Sequence, residues 1–163
     1  AGAVLRNMYY KDNIEEKDRI VTGFGVSLSG IWQFAENTSL CFQGVYGKGI
    51  SNYIQDISGS GLDLVPCATA EGKLKAIRGY IGFSHNWCKA LTSNIMYSYA
   101  RVLDRYGMPA TSYKYAQYAA ANLFWDFSEY GSCAIEYVFG RRNDFNKDYG
   151  NASRINTMIQ YRF

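Results

Sequence analysis

The last stretch of the chain, residues 151–163 with the sequence NASRINTMIQYRF, alternates two kinds of side chain. From Ser153 onward, mostly apolar and aromatic residues take every second position, and polar and cationic residues take the positions between them. A period of two predicts a β-strand. A soluble sheet would bury the apolar face against a core, whereas a membrane barrel would turn that face toward lipid and pair its strands sideways.

The same alternation recurs along the whole chain and predicts eight strands. They cover Ala1–Lys11, Ile20–Phe34, a segment through Leu40, Phe42 and Tyr46, Lys73–Trp87, Leu91–Leu103, Tyr113–Phe127, a segment through Ile135, Tyr137 and Phe139, and the terminal stretch. The predicted connections alternate between longer loops and short turns, as in transmembrane barrels, where the short turns face the periplasm. We therefore expect one all-β segment over residues 1–163, an antiparallel transmembrane β-barrel.

Composition excludes several other classes of protein. Aromatic residues are abundant (15 Tyr, 9 Phe and 3 Trp), 16 Gly stand against 2 Pro, and no apolar run reaches the length of a transmembrane helix, about 18 residues. The net charge is only +3 and the basic residues are dispersed, so we expect no nucleic-acid partner. One histidine and four cysteines without C-x-x-C spacing make a zinc site improbable. We expect no metal, no cofactor and no catalysis.

One long irregular segment, Lys48 to Gly72, interrupts the strands. Loops of this length inside a compact domain are uncommon and usually functional. It is a candidate for a constriction folded into a pore, and the alternative is a plain surface loop. The charged residues that it would bring to the pore are Lys48, Asp56, Asp63 and Glu71.

Alternation also assigns charged residues to the polar, inward face of the barrel. The cationic ones are Arg78, Lys114, Arg142, Arg154 and Arg162, and the anionic ones are Asp126 and Glu136. The excess of positive charge would favour anions in a channel. In the alternative interpretation, the arginines pair with the two carboxylates and only satisfy a polar interior.

The sequence also predicts the environment of its one histidine, of one arginine and of the cysteines. His85 falls on the lipid-facing phase near Trp87, which predicts a place in an interfacial aromatic belt. Arg101 falls on the same phase, so it either extends to the interface or follows a bulge. A disulfide between Cys41 and Cys88 is conceivable in an oxidising compartment, Cys67 could pair between chains, and the pairing of all four cysteines, Cys133 included, stays open.

Six segments together also resemble a known family. They are GKGISNYIQD at 47–56, GLDLVP at 61–66, WCKALTSNIMYSYARV at 87–102, QYAAANLFW at 117–125, EYVFGRR at 136–142 and the terminal stretch. In this order they resemble the C-terminal half of DcaP-like outer-membrane porins. The resemblance implies a sixteen-stranded barrel in the outer membrane of a Gram-negative bacterium. It also implies a homotrimer in contact with membrane lipid and lipopolysaccharide, through which small anionic solutes such as dicarboxylates diffuse.

The eight predicted strands are half of such a barrel. The chain could be a fragment, its other half could come from another polypeptide, or it could close alone as a narrow barrel filled by side chains. The first two favour part of a porin. The third favours a complete eight-stranded barrel with a structural or adhesive role through its surface loops. A lipid-modifying enzyme would need a catalytic group at the outer rim, and His85 is expected at the opposite rim.

Overall fold

The structure, a computed structural model, describes residues 1–12, 17–65 and 72–163, without the side chains of residues 12 and 17. It contains the eight strands that the alternation predicts. They are β1 (Gly2–Asp12), β2 (Lys17–Ala35), β3 (Thr38–Lys48), β4 (Lys75–Cys88), β5 (Leu91–Val102), β6 (Tyr113–Asp126), β7 (Gly131–Asp144) and β8 (Tyr149–Tyr161). No helix in the described part of the chain is long and apolar enough to cross a membrane.

Each strand pairs antiparallel with the next one along the chain, so the sheet runs in sequence order from β1 to β8. The predicted antiparallel all-β fold is confirmed. The sheet does not close, because β1 and β8 are its two edges in the described structure. The alternative of a narrow barrel that closes on itself is therefore not what this structure shows.

The connections lie at two different ends of the sheet. Residues 36–37, 89–90 and 127–130 form turns at one end, which we call the short-turn end. Residues 49–74, 103–112 and 145–148 connect strands at the other, the long-loop end. The polar stretch from Asn143 to Asn151, whose composition predicts a loop, is strand at both ends, since Asn143 pairs with Tyr149 across the β7–β8 ladder. Backbone pairing there needs no apolar side chain, which is why the polar sequence was misleading.

The two faces of the sheet differ sharply in chemistry. The outer face exposes large apolar side chains on every strand, among them Leu28, Phe42, Ile81, Ile95, Leu123, Ile135 and Ile155. The inner face, which we define as the face on which residues 49–64 pack, carries mainly small and polar residues, apart from the apolar ones beneath that segment. The buried core therefore lies between the inner face and this segment, and its most buried members are Ile50, Ile54, Ile57, Leu74 and Val102.

Aromatic side chains gather on the outer face near the short-turn end. The rings of Phe83 and His85 stack with centroids 6.4 Å apart, and the His85 ring meets Trp87 edge-on at 4.6 Å. His85 Nδ1 also lies 2.8 Å from the hydroxyl of Thr38. His85 thus sits in an aromatic cluster at this end of the sheet, where the sequence placed it.

The described cysteines are free thiols, and the suggested pairing of Cys41 with Cys88 is wrong. Cys41 lies opposite Gly82 in the ladder, and Cys88 follows six residues further along β4. Six residues of strand span about 20 Å, far beyond the reach of a disulfide. Cys67 lies outside the described residues.

Candidate functional site: the inner face and its loop

Residues 49–64 turn back over the inner face instead of extending away from the sheet. Gly49 has a φ of +66°, a conformation that favours glycine, and its N–H donates to the carbonyl of Leu74 at 2.9 Å. Two short 3₁₀ helices follow, Ser51–Tyr53 and Gln55–Ile57. A side chain on Gly47 would meet Ile50 Cδ1 at 2.6 Å, so the bare backbone there makes room for this apolar anchor.

Two ion pairs fix the same segment to the sheet. The Nε of Arg78 donates to Asp56 Oδ2 at 2.6 Å, and Nη1 of Arg6 donates to Asp63 Oδ2 at 2.9 Å. Ser98 adds a hydrogen bond to Asp56 at 3.4 Å, and the backbone N–H of Asn52 donates to Asp63 at 3.2 Å. Two of the three carboxylates that the sequence placed in the loop, Asp56 and Asp63, therefore reach arginines of the inner face and neutralise them.

Of the other two predicted loop residues, the structure describes only Lys48. Lys48 is the last residue of β3 and pairs with Phe24 and Lys75, so it shares the outer phase of Tyr46 and belongs to the strand instead of the loop. Glu71 lies outside the described residues.

The predicted alternation of β6 breaks at its first residues. The register against β7 shifts between Tyr113 and Tyr115, and Tyr113 turns into the buried core, where its hydroxyl donates to the carbonyl of Ala100 at 2.9 Å. Strict alternation therefore no longer assigns Lys114 to a face. Its place along a channel stays a prediction.

The inner face of β6, β7 and β8 is left open beside the folded segment. A depression of about 380 Å³ lies there, bordered by Asp56, Ser98 and Tyr118. Its floor is made of small residues, which are Ala116, Gly140, Gly150 and Ala152. The missing side-chain volume keeps this part of the face accessible.

Two predicted arginines lie along this open part, and a third lies past the end of β8, at the short-turn end. Arg142 lies at the depression; its Nε donates to Asp144 at 2.9 Å and its side chain is 58% exposed. Arg154 pairs in the ladder with Val138, and Arg162 follows the end of β8. Both are exposed, and neither forms an ion pair with any residue that the structure describes.

The predicted acidic residues of the inner face do not pair with these arginines. Glu136 accepts hydrogen bonds from two amides, Asn156 Nδ2 at 2.8 Å and Asn122 Nδ2 at 3.4 Å. Asn94 donates in turn to Asn122 at 2.8 Å, which completes a polar row across β5 to β8. Asp126 lies opposite Ser132 near the short-turn end. Among the described residues, neither Glu136 nor Asp126 forms an ion pair with these arginines, so the alternative interpretation does not hold.

Sequence reasoning missed Arg6 as a member of the inner face. The phase of the first strand was ambiguous, because apolar residues occupy both of its faces. Its register against β2 resolves the phase, since Arg6 lies opposite Gly23 among the small residues of that strand. Across residues 1–12, 17–65 and 72–163, no group of three or more His, Cys, Asp or Glu side chains could hold a metal ion.

Comparison with known proteins supports the fold. No protein-family model matches the chain, and a comparison with curated proteins finds no match. Among solved structures, the chain is similar to the outer membrane channel DcaP of Acinetobacter baumannii, with a TM-score of 0.75 and 20% sequence identity. The similarity covers 99% of this chain and 46% of that channel, so the chain spans about half its length. The eight-stranded sheet thus has the fold of about half of that channel.

Proposed function

We propose that this chain forms part of a porin in the outer membrane of a Gram-negative bacterium and admits small solutes, preferentially anions, by passive diffusion. The observation that carries the proposal is the folding of residues 49–64 against the polar inner face, which leaves a depression along β6, β7 and β8. An apolar outer face and similarity to a channel fold support it. Dicarboxylates are the solutes that we would test first.

The exposed arginines of the open part would act on the solute by electrostatic attraction. Arg142 and Arg154 in the open part, Arg162 at the short-turn end and Lys114 at the long-loop end would raise the local concentration of carboxylates. A guanidinium group can bind a carboxylate through two hydrogen bonds. Arg6 and Arg78 would contribute less, because they are paired with Asp63 and Asp56 and largely buried. Asp144 offsets part of the charge of Arg142, whose side chain nevertheless stays 58% exposed. The attraction would weaken as salt shortens the Debye length, which is about 10 Å at 0.1 M.

The two sheet edges set a further condition. Hydrocarbon does not tolerate unpaired backbone groups, so in a membrane β1 and β8 must pair with other strands. We propose that they belong to a sixteen-stranded barrel, assembled as a homotrimer in contact with lipid and lipopolysaccharide. Passage by diffusion needs no catalytic group and no cofactor.

The test is electrical. The protein purified from its own membrane is inserted into planar lipid bilayers, and the reversal potential is measured across a gradient of KCl. We expect stable open channels with a reversal potential on the anion-selective side, and currents that small dicarboxylates reduce. A protein that forms no channels, or channels that prefer cations, would contradict the proposal.

A further inference from the structure

Two arginines lie on the outer face near the long-loop end, above the apolar part of that face. Arg101 in β5 pairs with Ile77 on one side and Tyr115 on the other. Arg141 in β7 pairs with Gln117 and Asn151. The β4–β5 register is continuous around Arg101, so the outward direction is its true phase and the alternative of a bulge is wrong.

The Nε of Arg101 is buried and has no hydrogen-bond partner among the described residues. A buried N–H group without an acceptor is unfavourable, and native proteins rarely leave one unpaired. Its cross-strand neighbours, Ile77 and Tyr115, offer this nitrogen no hydrogen bond in the structure. The Nε itself is shielded from outside, but the two terminal nitrogens of Arg101 form no hydrogen bond with the described residues, so they are the groups that can meet an acceptor from outside the chain.

Arg141 is held in a fixed position nearby. Its guanidinium lies 4.3 Å from the ring centroid of Tyr149, and its Nε donates to Asn143 Oδ1 at 3.2 Å. A guanidinium has five N–H groups, so the two terminal nitrogens remain for a ligand. The strands of the two arginines are separated by one strand, β6, which places their backbones about 10 Å apart laterally.

We propose that Arg101 and Arg141 bind the phosphate groups of a phosphorylated glycolipid in the outer leaflet, with its acyl chains along the apolar outer face. This rests on the proposed function, because it requires the long-loop end to lie at the outer surface of the membrane. Charge complementarity favours this occupant. Two guanidinium groups bordering an apolar surface match an anionic headgroup attached to hydrocarbon chains, and phosphate is a bidentate acceptor for arginine.

The apolar surface below the arginines agrees with such a ligand. Ile81 and Tyr97, which follow toward the short-turn end on β4 and β5, are 48% and 44% exposed, respectively. The rings of Tyr99 and Tyr115 lie beside Arg101 with their centroids 5.6 Å apart. Tyrosines with an apolar body and a polar tip are typical of the membrane–water boundary. The cations thus lie where headgroup phosphates would be.

The experiment uses native mass spectrometry of the purified protein in detergent, titrated with lipid A that carries both phosphates. We expect binding that weakens by roughly tenfold or more in the double variant Arg101→Gln/Arg141→Gln, the size expected when charge-assisted hydrogen bonds are lost. Removing one phosphate from the lipid should weaken binding to the native protein. The matched control is Lys89→Gln in the turn 89–90, at the opposite end of the sheet, and we expect no change there.

Several outcomes would overturn the proposal. The proposal fails if the double variant binds lipid A as tightly as the native protein does. It also fails if inorganic phosphate displaces lipid A as effectively as the lipid itself, because the site would then not select a lipid. Loss of the oligomer with lipid binding unchanged would assign the surface to contacts between copies of the chain. Arg141→Lys, which keeps the charge but loses the planar fork, should give intermediate binding if the double variant does not fold.

Channel recordings separate this proposal from the proposed function. Conductance that is retained while lipid binding never occurs would refute only the glycolipid site. Absence of both channels and outer-membrane localisation would refute the proposed function.

Discussion

The inner face of the sheet has two parts that differ in what covers them. Toward β1 to β5, the segment 49–64 packs on the sheet, and Arg6 and Arg78 each hold a carboxylate of that segment. Toward β6 to β8, the face is lined by small residues, and Arg154 is exposed. Arginines with the same alternation phase therefore have different electrostatic roles, because a carboxylate distant in sequence neutralises only some of them.

The largest effect that we expect comes from loosening the covered part. Ile54 is only 1% exposed and lies in the cluster under the segment. Ile54→Ala should destabilise the packed segment by about 2–5 kcal/mol, the usual range for such a core truncation. Limited proteolysis between residues 49 and 64 should become faster.

The matched control is Ile81→Ala on the outer face, where the side chain is 48% exposed and does not touch this cluster. It should leave cleavage of the segment unchanged. Equal cleavage of both variants would mean that the cluster does not hold the segment in place.

The second effect concerns the ion pairs. Asp56→Asn/Asp63→Asn would release Arg78 and Arg6 and add two net positive charges to the inner face. The reversal potential should move further toward anion selectivity, and more so at low salt, because screening is weaker there. Glu36→Gln, in the turn at the short-turn end, is the control and should have a smaller effect.

The third effect concerns the open part. Arg142→Gln/Arg154→Gln removes two exposed positive charges, so anion selectivity should fall and the inhibition by dicarboxylates should weaken. Reversal potentials and solute titrations in planar bilayers measure both. Unchanged selectivity would show that solutes do not pass along β7 and β8.

The smallest effect should come from Glu136. Glu136→Gln removes the negative charge from the polar row while keeping an acceptor for Asn122 or Asn156. We expect a slight gain in anion selectivity and a loss of about 1 kcal/mol in the free energy of unfolding, since hydrogen bonds to a charged acceptor are the stronger kind. Denaturant unfolding in detergent checks the second value. A large loss of anion selectivity would contradict the proposal that the arginines are the charges that mainly determine it.

The fold was readable from the sequence because alternation with a period of two is a local signal. It gave the number of strands, their order and the faces of residues such as Arg78 and Glu136. The alternation mispredicted the structure where backbone pairing or contacts distant in sequence determine the conformation. At Tyr113 a register shift breaks the alternation and turns the first residue of β6 into the core, and paired backbone extends β7 and β8 through a polar sequence.

The electrostatic state of the inner face could not be predicted in the same way. Asp56 and Arg78 are 22 residues apart, and Asp63 and Arg6 are 57 apart. Only the folding of the segment against the sheet brings these partners together. The sequence made Asp56 and Asp63 candidates for a constriction in a pore, which stays a prediction, and it did not identify the arginines that they contact.

The measurement that tests the two-part inner face most directly is the rate at which a negatively charged thiol reagent modifies a cysteine placed in each part. Ala152 is exposed on the floor of the open depression, whereas Ala100 is 1% exposed beneath the segment. In a background where the four native cysteines are replaced by serine, Ala152→Cys should react roughly tenfold or more faster than Ala100→Cys, because the latter needs local opening. Modification at Ala152→Cys should also reduce the channel current. Equal rates at the two positions, or modification without any change in current, would contradict the account.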